Sequence, residues 1–241
     1  MFILFGYIFR LNIRCILIAY YVVRVVLCCP AVLINFILLI TTKMIISEDI
    51  LFSHGAKAEK YQPDEFIFEE GTAPKFYFQI IYGTVKLNNF LENGKEFVYG
   101  FPFDGHCIGE SYLFTDHSYA INAMAVTECE IIRLEKNAFL KLLSADPEFH
   151  FTINRYTADR LHFRYIISSL LAIRDPAVKL KMLLDYLKSY FDYDIPYSFE
   201  VPYTRNQLAA LTGLRVETVI RTLKKMEKQA LVKINNAKIQ Y

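Results

Sequence analysis

The sequence predicts an α+β fold in which an antiparallel β barrel or jelly roll gives way to a helical half closed by a small C-terminal hairpin. Three observations predict it. Short apolar runs punctuated by glycine fill residues 65–135, a helical period takes over from about Asn137, and a capped helix pair with a central glycine precedes two short terminal runs. The 241 residues, 54% hydrophobic and 22% charged, suffice for well-filled cores and do not describe a disordered chain. Five cysteines without Cys-x-x-Cys spacing exclude a zinc finger and a disulfide scaffold.

The β half reads strand by strand. FIF at 66–68 precedes Glu69-Glu70-Gly71, FYFQII at 76–81 precedes Tyr82-Gly83, and TVKL runs to Leu87. Glu92-Asn93-Gly94-Lys95 is a turn before EFVYGF, and INAMAV at 121–126 and CEIIRL at 129–134 follow. Strands this short, this regularly spaced and divided by glycine suit a closed antiparallel architecture. No internal repeat is visible.

In the helical half, Phe149, Ile153, Tyr156, Arg160, Phe163, Ile167 and Leu170 recur at alternating spacings of four and three. Such a stripe serves either a helix lying on the barrel or a two-stranded dimer seam, and its narrow a/d form favours the seam. Asp175-Pro176 ends that helix and starts another, with Asp175 as N-cap and Pro176 at the first helical position. This helix runs to about Phe191, and 192–202 reads as linker.

Thr204-Arg205-Asn206-Gln207 is a capping box. Leu208, Ala209 and Leu211 give its helix an inward face, and Gly213 permits the positive φ of a tight interhelical turn. From Arg215 to Gln229 a second helix buries Val219, Leu223 and Met226 and turns Arg215, Glu217, Thr218, Arg221, Lys224, Lys225 and Lys228 outward. Runs at 231–234 and 238–241, joined by Asn235-Asn236, complete a winged helix-turn-helix. A helix with cations outward suits a major groove lined by phosphates, so double-stranded DNA is the expected partner.

Charge distribution agrees. Residues 196–241 carry +5, residues 44–195 carry −7 and residues 1–43 carry +4 with no acid. Val25–Thr42 is uncharged over 18 residues, the minimum for a membrane span. Arg10, Arg14 and Arg24 precede it and only Lys43 follows, which would place Met44 onward outside the cytoplasm, where a DNA-binding tail could not work. Residues 1–43 are therefore read as an upstream translation before a start at Met44, with cytoplasmic localisation; a membrane-tethered sensor is the alternative.

The segment VPYTRNQLAALTGLRVETVIRTLKKMEKQALVKINNAKIQY resembles the DNA-binding domain of the CRP/FNR-type (catabolite activator) family of bacterial transcription regulators. IIYGTVKL, ENGKEF and CIGESYLF resemble segments of that family's cyclic-nucleotide-binding-type jelly roll. The resemblance implies a sensor barrel at 44–145, a dimerisation helix at 146–174 and a winged helix-turn-helix at 175–241, acting as a homodimer on palindromic operators. RNA polymerase is an implied further partner, and the small-molecule effector stays unnamed. It also implies that Glu217 and Arg221 read base edges, a carboxylate accepting from cytosine N4 and a guanidinium bonding guanine O6 and N7. Arg215 stands where a capping hydroxyl is usual and is read as a phosphate or base contact; Val216 would touch a thymine methyl. Thr204, Arg205, Thr218, Lys224 and Lys225 complete the expected DNA-binding set.

For the sensor, the resemblance implies a pocket at Gly109 and Glu110, with Glu110 either on a ribose hydroxyl or holding the fold. Tyr119 and Ala120 stand where the family's phosphate-binding Arg and hydroxyl residue belong, and no Arg lies between Glu110 and Arg133. Cyclic AMP is accordingly not expected to bind. Cys107 and Cys129 are too few for a four-cysteine iron–sulfur cluster, and no metal site is expected. His106 beside Cys107 is read as an ordinary loop histidine rather than a haem ligand. No nucleophile motif or phosphate loop supports an enzyme.

Overall fold

The computed structural model describes residues 44–92, 94 and 96–241. The apolar run at 25–42 lies outside them, as do Asn93 and Lys95 of the expected turn. Among the described residues no helix is long and apolar enough to cross a membrane.

The β half contains β1 (Lys57–Tyr61), β2 (Phe66–Phe68), β3 (Phe76–Tyr82), β4 (Val85–Phe90), β5 (Glu96–Gly100), β6 (Cys107–Ile108), β7 (Asn122–Ala125) and β8 (Cys129–Glu135), with a 3-10 turn at Glu110–Phe114. They form two four-stranded antiparallel sheets, β1-β8-β3-β6 and β2-β7-β4-β5. Between them lie Ile80, Val85, Leu87, Ile108, Ala123, Ala125 and Ile131, all essentially without solvent contact. Removing that apolar area from water is what holds the sheets face to face.

Helices α1 (Glu48–Ser53) and α2 (Lys136–Ala145) close one end, where Tyr77 stacks on Phe139 at 4.4 Å among Ile46, Leu51, Leu134 and Leu143. Gln79 fastens the chain start there. Its amide donates to the Ile46 carbonyl at 2.7 Å, and its oxygen accepts from the Ile46 N–H at 3.1 Å and from the Tyr77 hydroxyl at 2.6 Å. A buried amide with its bonding capacity used in this way stabilises the junction, where an unpaired one would cost it.

The long helix α3 (Pro147–Ala172) begins at Asp146, whose side chain accepts from the Glu148 N–H at 3.0 Å, with Pro147 in the first turn. The expected dimer seam is corrected here. Ile153, Tyr156, Ile167 and Leu170 of that stripe are buried within the chain, the first two against the barrel and the last two against the C-terminal helices at 176–228, and Phe163 packs beside them. The stripe spaced correctly for a seam is used for internal packing. The face left open carries Phe151, Ala158, Leu161 and Tyr165.

Helix α4 (Pro176–Tyr190) starts at Asp175, whose carboxylate accepts from the Ala177 and Val178 N–H groups. Helices α5 (Arg205–Thr212) and α6 (Val216–Lys228) follow, then a hairpin of β9 (Lys233–Asn235) and β10 (Lys238–Gln240). Its turn is Asn236-Ala237, one residue later than expected. Both have positive φ, 47° and 64°, the combination that matches the twist of a two-residue hairpin.

Candidate nucleic-acid interface and sensor cleft

The geometry of α5 and α6 follows from a few local devices. Thr204 accepts from the Gln207 N–H at 3.2 Å while the Gln207 side chain accepts from the Thr204 N–H at 2.8 Å, closing the capping box. Gly213 ends α5 at φ 66°. A side chain there would find room, so the backbone angle is what calls for glycine. Lys179 of α4 reaches across, buried, to donate to the Thr212 carbonyl at 3.0 Å, setting a cation on the negative end of α5.

Helix α6 divides sharply by face. Val219, Leu223 and Met226 are buried against Leu180, Leu184, Leu208 and Leu211, as the sequence spacing anticipates. Opposite them Glu217, Arg221, Lys224 and Lys228 succeed one another at i, i+4, i+7 and i+11, with Arg215 and Lys225 beside them, all exposed. Glu227 accepts from the Ile234 N–H at 3.0 Å and so ties the helix to the hairpin. Three other expected contacts are placed differently. The Arg205 guanidinium donates to the Ala237 carbonyl at 2.7 Å, bracing the wing. Val216 packs partly against the reader core, and the Thr218 side chain is half-buried. Arg215 makes no side-chain cap.

A cleft of about 410 Å³ opens between the barrel and α3, walled by Leu87, Tyr99, Gly109, Glu110, Tyr112, Ala120, Thr157, Arg160 and Arg164. Gly109 has φ 69°, and a Cβ there would stand 2.9 Å from the Tyr119 ring, so glycine is required on both counts. Glu110 is buried and accepts from the Thr157 hydroxyl at 3.5 Å. Ala120 is on the cleft wall, but Tyr119 turns inward and stacks on Phe68 at 3.8 Å, its hydroxyl without a hydrogen-bond partner among the described residues.

The inference that the cleft lacks a cation is also corrected. No arginine comes from the barrel wall, but Arg160 and Arg164 come from α3. Arg160 donates to the Tyr156 hydroxyl at 3.1 Å, and Arg164 lies 4.7 Å from the centre of the Tyr99 ring. Burial and the like charge of Arg160 lower the Arg164 pKa. Cys107 and Cys129 are free, and burial pushes both thiols up, away from the thiolate form a metal would need. Among the described residues no group of three or more His, Cys, Asp or Glu is placed to hold a metal ion.

A β sandwich with a side cleft, a long helix and a winged helix-turn-helix with an exposed basic helix together define a transcription regulator with a sensor-type domain. Comparison with known proteins is specific. Residues 58–146 match the cyclic nucleotide-binding domain and residues 179–240 the Crp-like helix-turn-helix domain. The chain belongs to the CRP/FNR family of transcription regulators, with a cyclic-nucleotide-binding-type sensor and a DNA-binding helix-turn-helix.

Among its relatives, the cAMP-activated global transcriptional regulator Vfr of Pseudomonas aeruginosa is 27% identical over 191 residues, 77% of this chain and 89% of that protein. A probable transcriptional activator of Rhizobium leguminosarum is 24% identical over 172 residues, 70% of each. Similar folds are FixK2 from Bradyrhizobium japonicum (TM-score 0.64, 19% identity, 77% of this chain and 91% of that one) and a CooA mutant from Carboxydothermus hydrogenoformans (TM-score 0.66, 16% identity, 80% and 85%).

Proposed function

We propose that the chain acts as a homodimer on two-fold symmetric operators, reading bases with Glu217 and Arg221 and gripping phosphates with Arg215, Lys224 and Lys225. The observation that carries this reading is the exposed face of α6, where a carboxylate and a guanidinium one helical turn apart are surrounded by cations. Arg205 serves by holding the wing in place, Thr204 by capping α5 beside the duplex, and Thr218 by edge contact. Val216 offers the exposed part of its side chain to a thymine methyl.

Dimerisation is assigned to the open face of α3. Phe151, Ala158 and Tyr165 alternate there with Asn154, Leu161 and Ser168 at heptad spacing, and Phe151, Leu161 and Tyr165 are 67%, 49% and 63% exposed. Apolar side chains so open on one helical stripe favour a second copy as their cover.

The sensor reading keeps an unidentified effector in the cleft beside Glu110. Cyclic AMP is not favoured, because the cations of the cleft, Arg160 and Arg164, come from α3 and not from the barrel wall at Ala120, where the resemblance places the phosphate partner. No metal or iron–sulfur cluster is assigned. The function is binding rather than catalysis, in the cytoplasm, and RNA polymerase is a partner where bound DNA lies at a promoter.

Native mass spectrometry of the full chain with duplex DNA selected for binding tests the dimer. Two chains per duplex are expected. Leu161→Glu, which places a charge in the seam without touching α6, should leave a folded monomer with little affinity. One chain per duplex, or a Leu161→Glu variant that binds as well as the parent, contradicts the proposal.

A further inference from the structure

The two faces of strand β5 meet different partners. It is an edge strand of the β2-β7-β4-β5 sheet, paired in the ladder with β4. That pairing slips by one residue. Leu87 lies opposite Gly100 and Asn88 opposite Val98, which leaves Tyr99 as the extra residue of a β bulge. A bulge bends its strand and re-aims the side chain at that point. Val85 and Leu87 of β4 belong to the barrel core, so Asn88, and Val98 across from it, point outward.

Val98 is outward and yet only 6% exposed, because the reader domain (α4 to α6 with the hairpin) covers it. Helix α5 packs on β5, and Val98 and Phe101 share one buried cluster with Leu208, Leu211 and Leu223. The Phe101 ring lies 6.1 Å from that of Tyr203, just ahead of α5, and the Phe103 ring 6.2 Å from that of Phe191, just after α4. Burial, then the charge of Arg160, hold the pKa of His106 in the same loop down to about 3, as a junction poor in water requires. Tyr99 goes the other way. It walls the sensor cleft, with the Arg164 guanidinium of α3 4.7 Å from its ring centre.

Resting on the two-fold operator reading above, we infer that β5 is the strand through which the cleft sets the direction of the reader. Val98 and Phe101 are positioning residues that fix α6 relative to α3, and Tyr99 ties their dock to the cleft. A dimer joined through α3 presents two copies of α6 at one separation only if each reader is held against rotation. Ile167 and Leu170 of α3 hold it at one point, and β5 supplies the second. The charged face of α6 stays exposed in this dock, so the hold fixes orientation without blocking DNA. An occupant of the cleft meets Tyr99, and a shift of that bulged residue moves Val98 and Phe101 on either side of it.

Fluorescence anisotropy of the full chain tests this on three duplexes: one selected for tight binding, the same with two base pairs inserted between its half-sites, and a single half-site. The insertion turns one half-site by roughly 70° about the helix axis, and the parent should lose about tenfold or more in affinity. Val98→Asp, which drives the reader off the strand, should lose less than about threefold on insertion while holding the single half-site as the parent does. Val98→Ile, which keeps the apolar contact, should behave as the parent. Tyr99→Ala, altered on the cleft side, should reduce the insertion penalty by about threefold. Melting curves establish that each variant is folded; if Val98→Asp is not, Val98→Ala carries the test. A penalty equal to the parent's in the position 98 variant or in Tyr99→Ala would overturn the inference and leave the operator reading standing. Equal losses by the position 98 variant on the single half-site and the full duplex would mark a merely structural valine and overturn it too. A parent indifferent to the insertion would overturn both.

Discussion

The reader domain and the sensor cleft solve opposite problems. On α6 the charged side chains come from one continuous stretch and point into solvent, while the apolar ones face a shared core. In the cleft the polar groups converge inward from separate places: Glu110 from a turn after β6, Thr157, Arg160 and Arg164 from α3, and Tyr99 from β5. A surface built on one helix is specified by helical period, so each side chain can be exchanged almost independently. A cleft assembled from distant segments depends on packing, and its members act as a group.

The largest expected effect breaks the reader from inside. Leu223→Ala removes a fully buried side chain, and unfolding stability should fall by roughly 2–5 kcal/mol in denaturant titration, with DNA binding lost alongside. Next comes a pH effect on the inward-facing side. His106 takes up its proton near pH 6.5 when unfolded and only near pH 3 when folded. The unfolded state therefore binds more protons in this window, and stability falls as pH drops. Between about pH 7 and pH 5 the loss is about 2 kcal/mol, and it should be absent from His106→Phe.

On the outward face, where side chains act singly, effects should be smaller and selective. Thr204→Ala opens the capping box and should cost about 1 kcal/mol of stability. Smallest is Lys225→Ala. It should weaken all DNA sequences alike, by less than about 1 kcal/mol, and reduce the slope of log affinity against log salt by about one. A Lys225→Ala variant that discriminated between sequences differently from the parent would undo the division between gripping and reading side chains.

Legibility in the sequence followed the same division. The capping box, the glycine turn, the two faces of α6 and the hairpin were all readable because each depends on neighbours within four residues. Strands rich in Phe, Ile and Val were equally plain, but β1 and β6 were not. KAEKY of β1 is charged because it sits at the edge of its sheet, and β6 has only two residues, too few for any alternation. On α3 the spacing was correct and the face was not. Two stripes, one through Ile153 and Ile167 and one through Phe151 and Tyr165, share the same spacing, and only tertiary packing tells which is covered by the chain itself. The cleft arginines are hidden in the sequence for a related reason: Arg160 and Arg164 lie far along the chain from Glu110, and only tertiary packing brings α3 to the cleft.

Base reading by Glu217 and Arg221 is the claim on which the rest turns. Fluorescence anisotropy with a duplex selected for tight binding and a scrambled duplex, for the parent chain and Arg221→Ala, tests it most directly. The parent should prefer the selected duplex strongly. Arg221→Ala should lose about 1–3 kcal/mol of affinity per contacted guanine on that duplex alone, with scrambled DNA nearly unaffected. Equal losses on both duplexes, or an unchanged preference in the variant, would contradict the assignment.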